Sequence, residues 1–418
     1  MRRTLRLLTT LATALGVAAS LAVLAPDAVS APSAATPSPV AAPALLPSED
    51  PFYVPPGGYE NRAPGAILRT RQVSLGWRGT SVPITATQIL YRSTDNFGGP
   101  TATVTTVLSP PGVGSGAPRR VVSYHSFYDA LGSQCDPSYT LRGGNMSERP
   151  IDIALVSGLM AAGYTVSVPD YEGRGLRWTI ARESGYAALD GVRATLRQLK
   201  APARTPIALY GYSGGSVPTG FGAELAPVYS PELNIVGAAA GGVPVDPIHN
   251  LGYVNGKKDW TGVIPALMAV YDGTYDLGLA PYLSRKGTRI LKQVAGECIE
   301  QFADGYPGLT DRQMLNPGVG GVLDIPGVRQ AISKNIMGTL GTPRVPVMLG
   351  VGNSDGTGDG IMVTADVAGL AANYCRRGVP TTYREYRGQS HTAAFIPFSV
   401  DAAGFLERRF AGIPAGGC

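Results

Sequence analysis

The feature that most constrains this chain is an apolar run that ends on a serine flanked by glycines. Residues 206–220 read PIALYGYSGGSVPTG. In a G-x-S-x-G pattern the serine occupies a strained turn between a strand and a helix, and small flanking residues let the two backbones approach closely. The pattern predicts that Ser213 is a nucleophile. It also predicts a helix over residues 214–225, whose free backbone N–H groups would lie beside the serine.

A second stretch, residues 352–356, also satisfies the pattern. The chain contains 55 glycines, so about one accidental match is expected. Ser354 is followed by the turn-like sequence TGDG, and too little chain remains after it for the usual order of serine, acid and histidine. We therefore predict that Ser213 carries the chemistry and that Ser354 lies in a turn.

The order of apolar segments predicts an α/β fold, with a mostly parallel central sheet and helices on both faces. Three β-rich runs, at residues 66–75, 83–91 and 101–108, have the character of antiparallel edge strands. Strand and helix patterns then alternate, which indicates a parallel sheet whose active residues lie at the carboxyl ends of its strands. The predicted strands are 120–124, 164–169, 233–240, 345–351, 381–386 and the run before Ser213, and the predicted helices include 151–162, 186–199, 364–374 and 399–410.

The N-terminus has the pattern of an export signal. Residues 1–30 begin with basic residues, continue with an apolar stretch and end near small residues that suit cleavage. We predict a secreted, extracellular protein, with residues 31–50 as a flexible lead-in rich in Ala, Pro and Ser. Removal of the signal lowers the formal net charge from +5 to +3, because the segment contains three arginines and one aspartate. A charge so small argues against a nucleic-acid partner.

Residues 246–340 differ in character from the rest, with turn residues, aromatics and short amphipathic pieces at 264–271 and 287–302. We interpret them as a helical insertion over the sheet, here named the cap segment, while residues 51–245 and 341–418 form the α/β core. The cap segment would cover an acyl-binding site. The alternative is an added layer with no gating role.

Four cysteines in an exported chain favour two disulfides. Of the three possible connectivities we favour Cys135–Cys298, which ties a loop after a core strand to the cap segment. The second bond, Cys375–Cys418, would then tie the last residue to a helix. No two Cys or His residues have the spacing of zinc ligands, so neither a metal nor another cofactor is expected.

A serine is nucleophilic at neutral pH only when a histidine accepts its proton and an acid orients that histidine. The chain has three histidines. His125 precedes Ser213, and His249 follows it by only 36 positions, at the start of the cap segment. His391 follows a predicted strand near the end of the chain, which is the expected place, and we predict that it is the base.

The acid should lie on the loop after strand 345–351, where Asp355 and Asp359 compete. Asp359 is favoured because an apolar run leads from it into a helix, whereas Asp355 is followed by Gly-Thr-Gly. Asp355 remains the alternative, and the other carboxylate would form or cap a turn.

An oxyanion would need backbone N–H donors beside Ser213. Gly214 provides one, as the residue after the nucleophile. The second should come from the loop after strand 120–124, where Tyr128 and Asp129 are candidates. The stretch 170–172 (Asp-Tyr-Glu), at another strand end, has two interpretations, a contact with the site and a structural role in a turn, and the turn is favoured.

These motifs resemble the secretory lipase family of α/β-hydrolases over nearly all of the chain after the lead-in. The Gly-Tyr-Ser-Gly-Gly turn around Ser213, here called the elbow, matches directly. Asp129 occupies the place of the aspartate that helps form the family's oxyanion hole. Asp359, an apolar run, Cys375 and His391 then follow in the family's order, in equal steps of 16 positions. The resemblance favours Asp359 over Asp355 and implies that Ser213, Asp359 and His391 form a catalytic triad.

The resemblance implies a secreted serine carboxylic-ester hydrolase, namely a triacylglycerol lipase that acts through an acyl-enzyme on acylglycerols or other esters. It also implies a transient contact of the cap segment with a lipid surface. A short-chain esterase, a peptidase or an acyltransferase with the same triad is an alternative. A protein of another class, a non-catalytic envelope protein with this fold, is the third hypothesis.

Overall fold

The computed structural model of the protein describes residues 45–77, 80–110, 119–143 and 150–418. The predicted signal peptide and most of the lead-in lie outside these residues. The strands are β1 (Ile67–Trp77), β2 (Thr80–Thr94), β3 (Pro100–Leu108), β4 (Val121–His125), β5 (Thr165–Pro169), β6 (Ile207–Tyr212), β7 (Ile235–Gly241), β8 (Val347–Asn353) and β9 (Thr381–Arg387). The helices are α1 (Pro137–Thr140), α2 (Pro150–Ala161), α3 (Ala181–Gln198), α4 (Ser216–Tyr229), α5 (Pro247–Val254), α6 (Val263–Tyr275), α7 (Arg285–Val294), α8 (Ile299–Phe302), α9 (Val328–Ser333), α10 (Thr364–Arg376) and α11 (His391–Phe410).

The strands form one nine-stranded sheet in the order β1-β2-β3-β5-β4-β6-β7-β8-β9. The first three are antiparallel, and β3 joins β5 in the same sense. From β5 to β9 all pairings are parallel. Every residue of β4, β5 and β6 is buried, as expected for strands covered on both faces. The predicted mostly parallel sheet with antiparallel strands at one edge is confirmed.

Helices cover the sheet in two apolar layers. One layer contains α3, α4, α10 and the cap-segment helices, with Phe221 of α4 and Tyr271 of α6 among its members. The other layer contains α2 and α11, through residues such as Val156 and Phe398. β6 is an inner strand of this sheet, and the residue that follows it, Ser213, lines a cavity between α2, α11 and the cap segment.

The two largest departures from the predicted helices are the start of the last helix and the piece 287–302. The last helix begins at His391 and not at residue 399, because Ser390 caps it by accepting from the N–H of Ala393. Pro397 lies inside this helix. Because proline lacks the backbone N–H that a helix interior needs, a sequence-based prediction places a helix boundary near it. The predicted amphipathic piece 287–302 is two helices, α7 and α8, interrupted before Cys298, which is the N-cap of α8.

The structure joins Cys135 to Cys298 and Cys375 to Cys418, the connectivity expected from the sequence. The first bond links the loop after β4 to the cap segment, where Ala130 also pairs with Cys298 in an isolated β-bridge. Helices α5 to α9 all belong to the cap segment and lie between β7 and β8 in the chain. Within the described ranges, no helix has the length and apolar character needed to cross a membrane.

Candidate active site

Ser213 lies at a strained strand-to-helix turn. It follows the last residue of β6 and has a φ of +54°, a conformation that is costly for a residue with a Cβ. A Cβ at position 211 would lie 2.1 Å from the carbonyl oxygen of Gly215, and one at position 215 would lie 2.0 Å from that of His125. Both flanking glycines are therefore required by close backbone contacts, which is the physical reason for the G-x-S-x-G pattern.

The structure brings Ser213, His391 and Asp359 into one hydrogen-bonded chain. The Oγ of Ser213 lies 2.7 Å from Nε2 of His391. The Nδ1 of His391 lies 2.9 Å from Oδ2 of Asp359. Because a carboxylate only accepts, Nδ1 carries the imidazole proton, and Nε2 accepts from the serine hydroxyl. His391 is 3% exposed and Asp359 is 1% exposed, so water is largely excluded from the hydrogen bond between them.

The loop after β8 fixes the acid. Oδ1 of Asp359 accepts from the backbone N–H groups of Ile361 and Met362, at 3.1 and 2.8 Å. The N–H of His391 donates to the carbonyl oxygen of Asp359 at 2.8 Å, so backbone and side chain are held together. Of the two carboxylates that the sequence left in competition, Asp359 is therefore the one that the structure places against His391.

Asp355 has a different environment. Its side chain is 45% exposed and accepts from the hydroxyl of Tyr253 at 2.8 Å. Its Oδ1 also accepts from the backbone N–H of Gly358, which holds the pKa of the Asp355 carboxyl below its usual range. Ser354 lies in the same turn, with its hydroxyl 3.2 Å from the carbonyl oxygen of Gly358.

Asp129 lies directly beside the elbow. Its φ is +38°, and its carboxylate accepts from the indole N–H of Trp178 at 2.6 Å. A Cβ at position 214 would lie 1.7 Å from Oδ1 of Asp129. Asp129, Ser213 and Gly214 also line one small cavity together. The structure thus gathers every residue predicted for the triad and the oxyanion hole at the carboxyl ends of β4, β6 and β8 and the start of α11.

A neighbouring turn supports the Asp129 loop. The carboxylate of Glu172 accepts from the N–H of Ala130 at 3.0 Å, and the N–H of Glu172 donates to the hydroxyl of Tyr128 at 2.7 Å. The hydroxyl of Tyr171 donates to the carbonyl oxygen of Ser126 at 2.8 Å. Trp178 and the supporting role of Glu172 are not among the sequence predictions. The available signal was the position of this turn after β5, at the sheet edge where active residues gather.

The other two histidines have structural partners. His125 is fully buried, between the hydroxyls of Ser123 and Thr219 at 2.9 and 2.7 Å. Burial lowers the pKa of His125 to about 3, so this imidazole is neutral. His249 is exposed and lies 3.0 Å from a carboxylate oxygen of Asp366, whose hydrogen bond raises the pKa of the histidine.

Two cavities meet at Ser213. The smaller, of about 50 Å³, lies under the cap segment, and the larger, of about 890 Å³, opens outward past His391. Trp260 lines both, and its ring meets the ring of His391 edge to face at 5.3 Å. The apolar residues around the smaller cavity include Leu251, Val263, Leu267, Ile299, Ile361 and Met362. Among the described residues, no cluster of three or more His, Cys, Asp or Glu is arranged to hold a metal ion.

A mostly parallel sheet with a strained serine elbow after a central strand, and with a buried histidine and aspartate beside it, defines an α/β-hydrolase. Comparison with known proteins narrows the class. A family model described as secretory lipase matches residues 145–417. The structure of Candida antarctica lipase A in its closed state superposes with a TM-score of 0.81 at 27% identity, covering 90% of this chain and 89% of that one.

Two curated relatives cover a similar share of the sequence. Lipase A of Arthroderma benhamiae is 33% identical over an alignment of 403 positions, which covers 88% of this chain and 81% of that protein. A Mycobacterium tuberculosis protein named a probable inactive lipase, MT1628, is 34% identical over 386 residues, covering 88% of this chain and 84% of that protein. The chain therefore belongs to the secretory lipase family, and the predicted family is confirmed.

Proposed function

We propose that this protein is a secreted serine carboxylic-ester hydrolase, a triacylglycerol lipase, whose triad is Ser213, His391 and Asp359. The observation that supports the proposal best is the continuous hydrogen-bonded chain from the serine Oγ, through both imidazole nitrogens, to a buried carboxylate. Family membership supports ester substrates. The predicted signal sequence and the family's name support export.

In the proposed mechanism, His391 Nε2 takes the hydroxyl proton as Ser213 Oγ attacks the ester carbonyl carbon. The carbonyl electron pair moves to its oxygen, and a tetrahedral oxyanion forms. The imidazolium, stabilised by Asp359, then gives its proton to the alkoxide leaving group, and an acyl-enzyme and a free alcohol result. Water activated by His391 attacks the acyl-enzyme in the same way and releases the carboxylic acid and the serine.

The backbone N–H groups of Gly214 and Asp129 are the proposed oxyanion donors. Gly214 opens the helical turn after the nucleophile, where free N–H groups and the helix dipole favour negative charge. Asp129 is held beside it by the indole of Trp178 and by the contacts of its loop with the turn after β5. Such fixed donors stabilise the charge that develops in the transition state without reorganising.

The two cavities suit the two halves of an ester. The small cavity under the cap segment is lined mostly by apolar side chains and touches Ser213, which supports its role as the start of an acyl site. The large cavity, of about 890 Å³, also touches Ser213 and Trp260 and has room for a glyceride alcohol. We propose that the cap segment covers the acyl group while the alcohol leaves through the larger opening.

The relative named a probable inactive lipase makes a non-catalytic protein the second candidate. In this chain the serine, histidine and aspartate are all present and within hydrogen-bonding distance. A serine-reactive fluorophosphonate separates the two candidates. Labelling of the wild type but not of Ser213→Ala is expected for the hydrolase, and absence of labelling in both would favour the non-catalytic protein.

The proposed function is tested by hydrolysis of p-nitrophenyl esters of increasing chain length and of an emulsified triacylglycerol, beside Ser213→Ala. A lipase cleaves the long esters and the emulsion, and the variant is inactive. Cleavage of short esters alone would favour a short-chain esterase. Transfer of the acyl group to an added alcohol in preference to water would favour an acyltransferase. Activity that persists in Ser213→Ala would refute the assignment of the nucleophile.

A further inference from the structure

Helix α2 is a surface helix without a charged outer face. Its 12 residues contain one charged side chain, Asp152, and that side chain is buried and accepts from the hydroxyls of Tyr124 and Ser126. Ala154 and Gly158 are exposed, and Ile151 and Leu155 are half-buried. A helix at the surface of a globular protein ordinarily presents charged or polar residues outward. The outward side of α2 therefore has the composition of a helix that something covers.

The first half of α11 has the same property. Its outward residues Ile396 and Val400 are 51% and 69% exposed, and Ala393 beside them is exposed as well. From residue 392 to residue 400 the helix carries no formal charge. Both helices pack on the same face of the sheet and belong to one apolar layer. Their uncharged outer sides therefore lie on one side of the molecule.

Both helices begin at the opening of the large cavity. Ile151 of α2 and Phe395 of α11 line it, together with Ser213 and His391. Phe127, which follows β4, also lines it, and its ring lies 5.7 Å from that of Phe395. The outer sides of α2 and α11 thus continue into the entrance to the serine.

The cap segment contributes a contrasting wall to the same cavity. Its lining residues there include five charged side chains: Lys257, Lys258, Asp259, Glu300 and Asp304. The entrance therefore has Ile151 and Phe395 on the side of α2 and α11, and a wall from the cap segment in which charged residues outnumber apolar ones. Apolar surface favours contact with a lipid aggregate, while the charged wall favours water.

We infer that the apolar face formed by Ile151, Ala154, Leu155, Ile396 and Val400 binds the surface of a lipid aggregate that contains the ester substrate. This rests on the proposed function, and it places the lipid contact on α2 and α11 and not on the cap segment. A protein partner or a second copy on this face would cover the entrance, whereas a lipid surface delivers substrate into it. Helix α2 is shorter than the roughly 20 residues that span a bilayer, so it would lie in the interface.

The test compares the triple variant Ala154→Glu/Ile396→Glu/Val400→Glu with the control Val228→Glu. Val228 is 88% exposed at the end of α4, on the opposite face of the sheet. Binding to phosphatidylcholine vesicles is measured by sedimentation, with Ser213→Ala as the background so that no substrate is consumed. Each glutamate places a charge on the lipid-facing side, so the triple variant is expected to partition at least about tenfold more weakly, while the control binds as the background protein does.

The same substitutions in the active protein give a second measurement, the rate on a triacylglycerol emulsion divided by the rate on dissolved p-nitrophenyl acetate. This ratio is expected to fall about tenfold in the triple variant and not in the control. Unchanged vesicle binding in the triple variant, or an equal loss in the control, would overturn the inference. So would a wild-type dimer that the triple substitution dissociates, because a second copy would then cover the face. Vesicle binding does not depend on turnover, so a protein that binds through this face but cleaves no ester would refute only the proposed function.

Discussion

Asp129 and Gly214 are in such close contact that a Cβ on residue 214 would lie 1.7 Å from the carboxylate of Asp129. The carboxylate accepts a hydrogen bond from the indole of Trp178, so a Cβ on residue 214 would have to displace it against that bond. The glycine after the nucleophile is therefore required by a residue 85 positions earlier in the chain. This contact joins the two loops that carry the proposed oxyanion donors.

Replacement of Gly214 by alanine should displace Asp129 and separate the two donors. We expect kcat on a p-nitrophenyl ester to fall by roughly 10² to 10³, the usual cost of losing one oxyanion donor. The matched control is Gly369→Ala in α10, where a Cβ would meet nothing within 4 Å. Equal activity in Gly214→Ala and the wild type would show that the Asp129 loop does not contribute to the hole.

Trp178→Phe removes the hydrogen bond to Asp129 but keeps an aromatic ring against Phe302, whose centroid is 5.5 Å away. Loss of one hydrogen bond that orients a donor should lower kcat by about tenfold and leave KM nearly unchanged. Steady-state kinetics with a soluble ester measures both constants. A change in thermal stability with no change in kcat would mean that Trp178 only packs.

The two competing carboxylates provide a matched pair of variants. Asp359→Asn should lower kcat by roughly 10³ to 10⁴, because the amide no longer stabilises the imidazolium or fixes its tautomer. Asp355→Asn should leave kcat within about twofold, since Asp355 is exposed and pairs with Tyr253 and Lys257 and not with His391. The opposite ranking of the two variants would reverse the assignment of the acid.

The two disulfides should differ in their effect on stability. They close loops with sequence separations of 163 and 43 residues. On loop entropy alone this corresponds to about 5 kcal/mol for Cys135–Cys298 and about 4 kcal/mol for Cys375–Cys418. Urea unfolding of the two Cys→Ser double variants measures the difference. We expect the larger loss for the bond to the cap segment, and a smaller loss there would show that native contacts outweigh loop length.

Two buried carboxyls, Asp136 and Asp170, should make the folded state less stable as pH rises. Burial is the largest cause that raises the pKa of both, to about 7 for Asp170, and for Asp136 the neighbouring carboxyl adds to it. In the unfolded chain these groups ionise near pH 4. The folded state therefore holds more protons between these values, and its free energy of unfolding decreases as pH rises from about 4 through about 7.

The pH dependence of urea unfolding in Asp170→Asn measures this contribution. Asp170 accepts from the N–H and hydroxyl of Ser138, and an asparagine keeps an acceptor there while it removes the titration. We expect a flatter dependence over this range than in the wild type. Asp276→Asn, at an exposed position, should keep the wild-type slope. Equal slopes in the wild type and Asp170→Asn would refute the assignment to this pair.

Much of the fold was predictable because strands and helices leave local periodic patterns. The parallel sheet, the antiparallel edge and the turn at Ser213 follow from such patterns. The start of α11 could not be predicted from such a pattern. Pro397 indicates a helix boundary, but the tertiary packing of Phe395 and Phe398 keeps the helix continuous through it. The break between α7 and α8 before Cys298 could not be predicted either, since its cause is that Cys298 caps α8 and is bonded to Cys135.

The chemistry available to this protein can be read from neighbouring residues: one serine on an elbow, a late histidine, and two aspartates after the same strand. Three features depend on packing and could not be read in this way. Asp359 meets His391, Trp178 and Glu172 hold the Asp129 loop, and α2 and α11 share an uncharged side. These two kinds of feature differ in the distance along the chain over which they arise. Backbone geometry and periodicity are local and are written in neighbouring residues, whereas hydrogen bonds and shared surfaces between remote segments exist only once packing has brought those segments together.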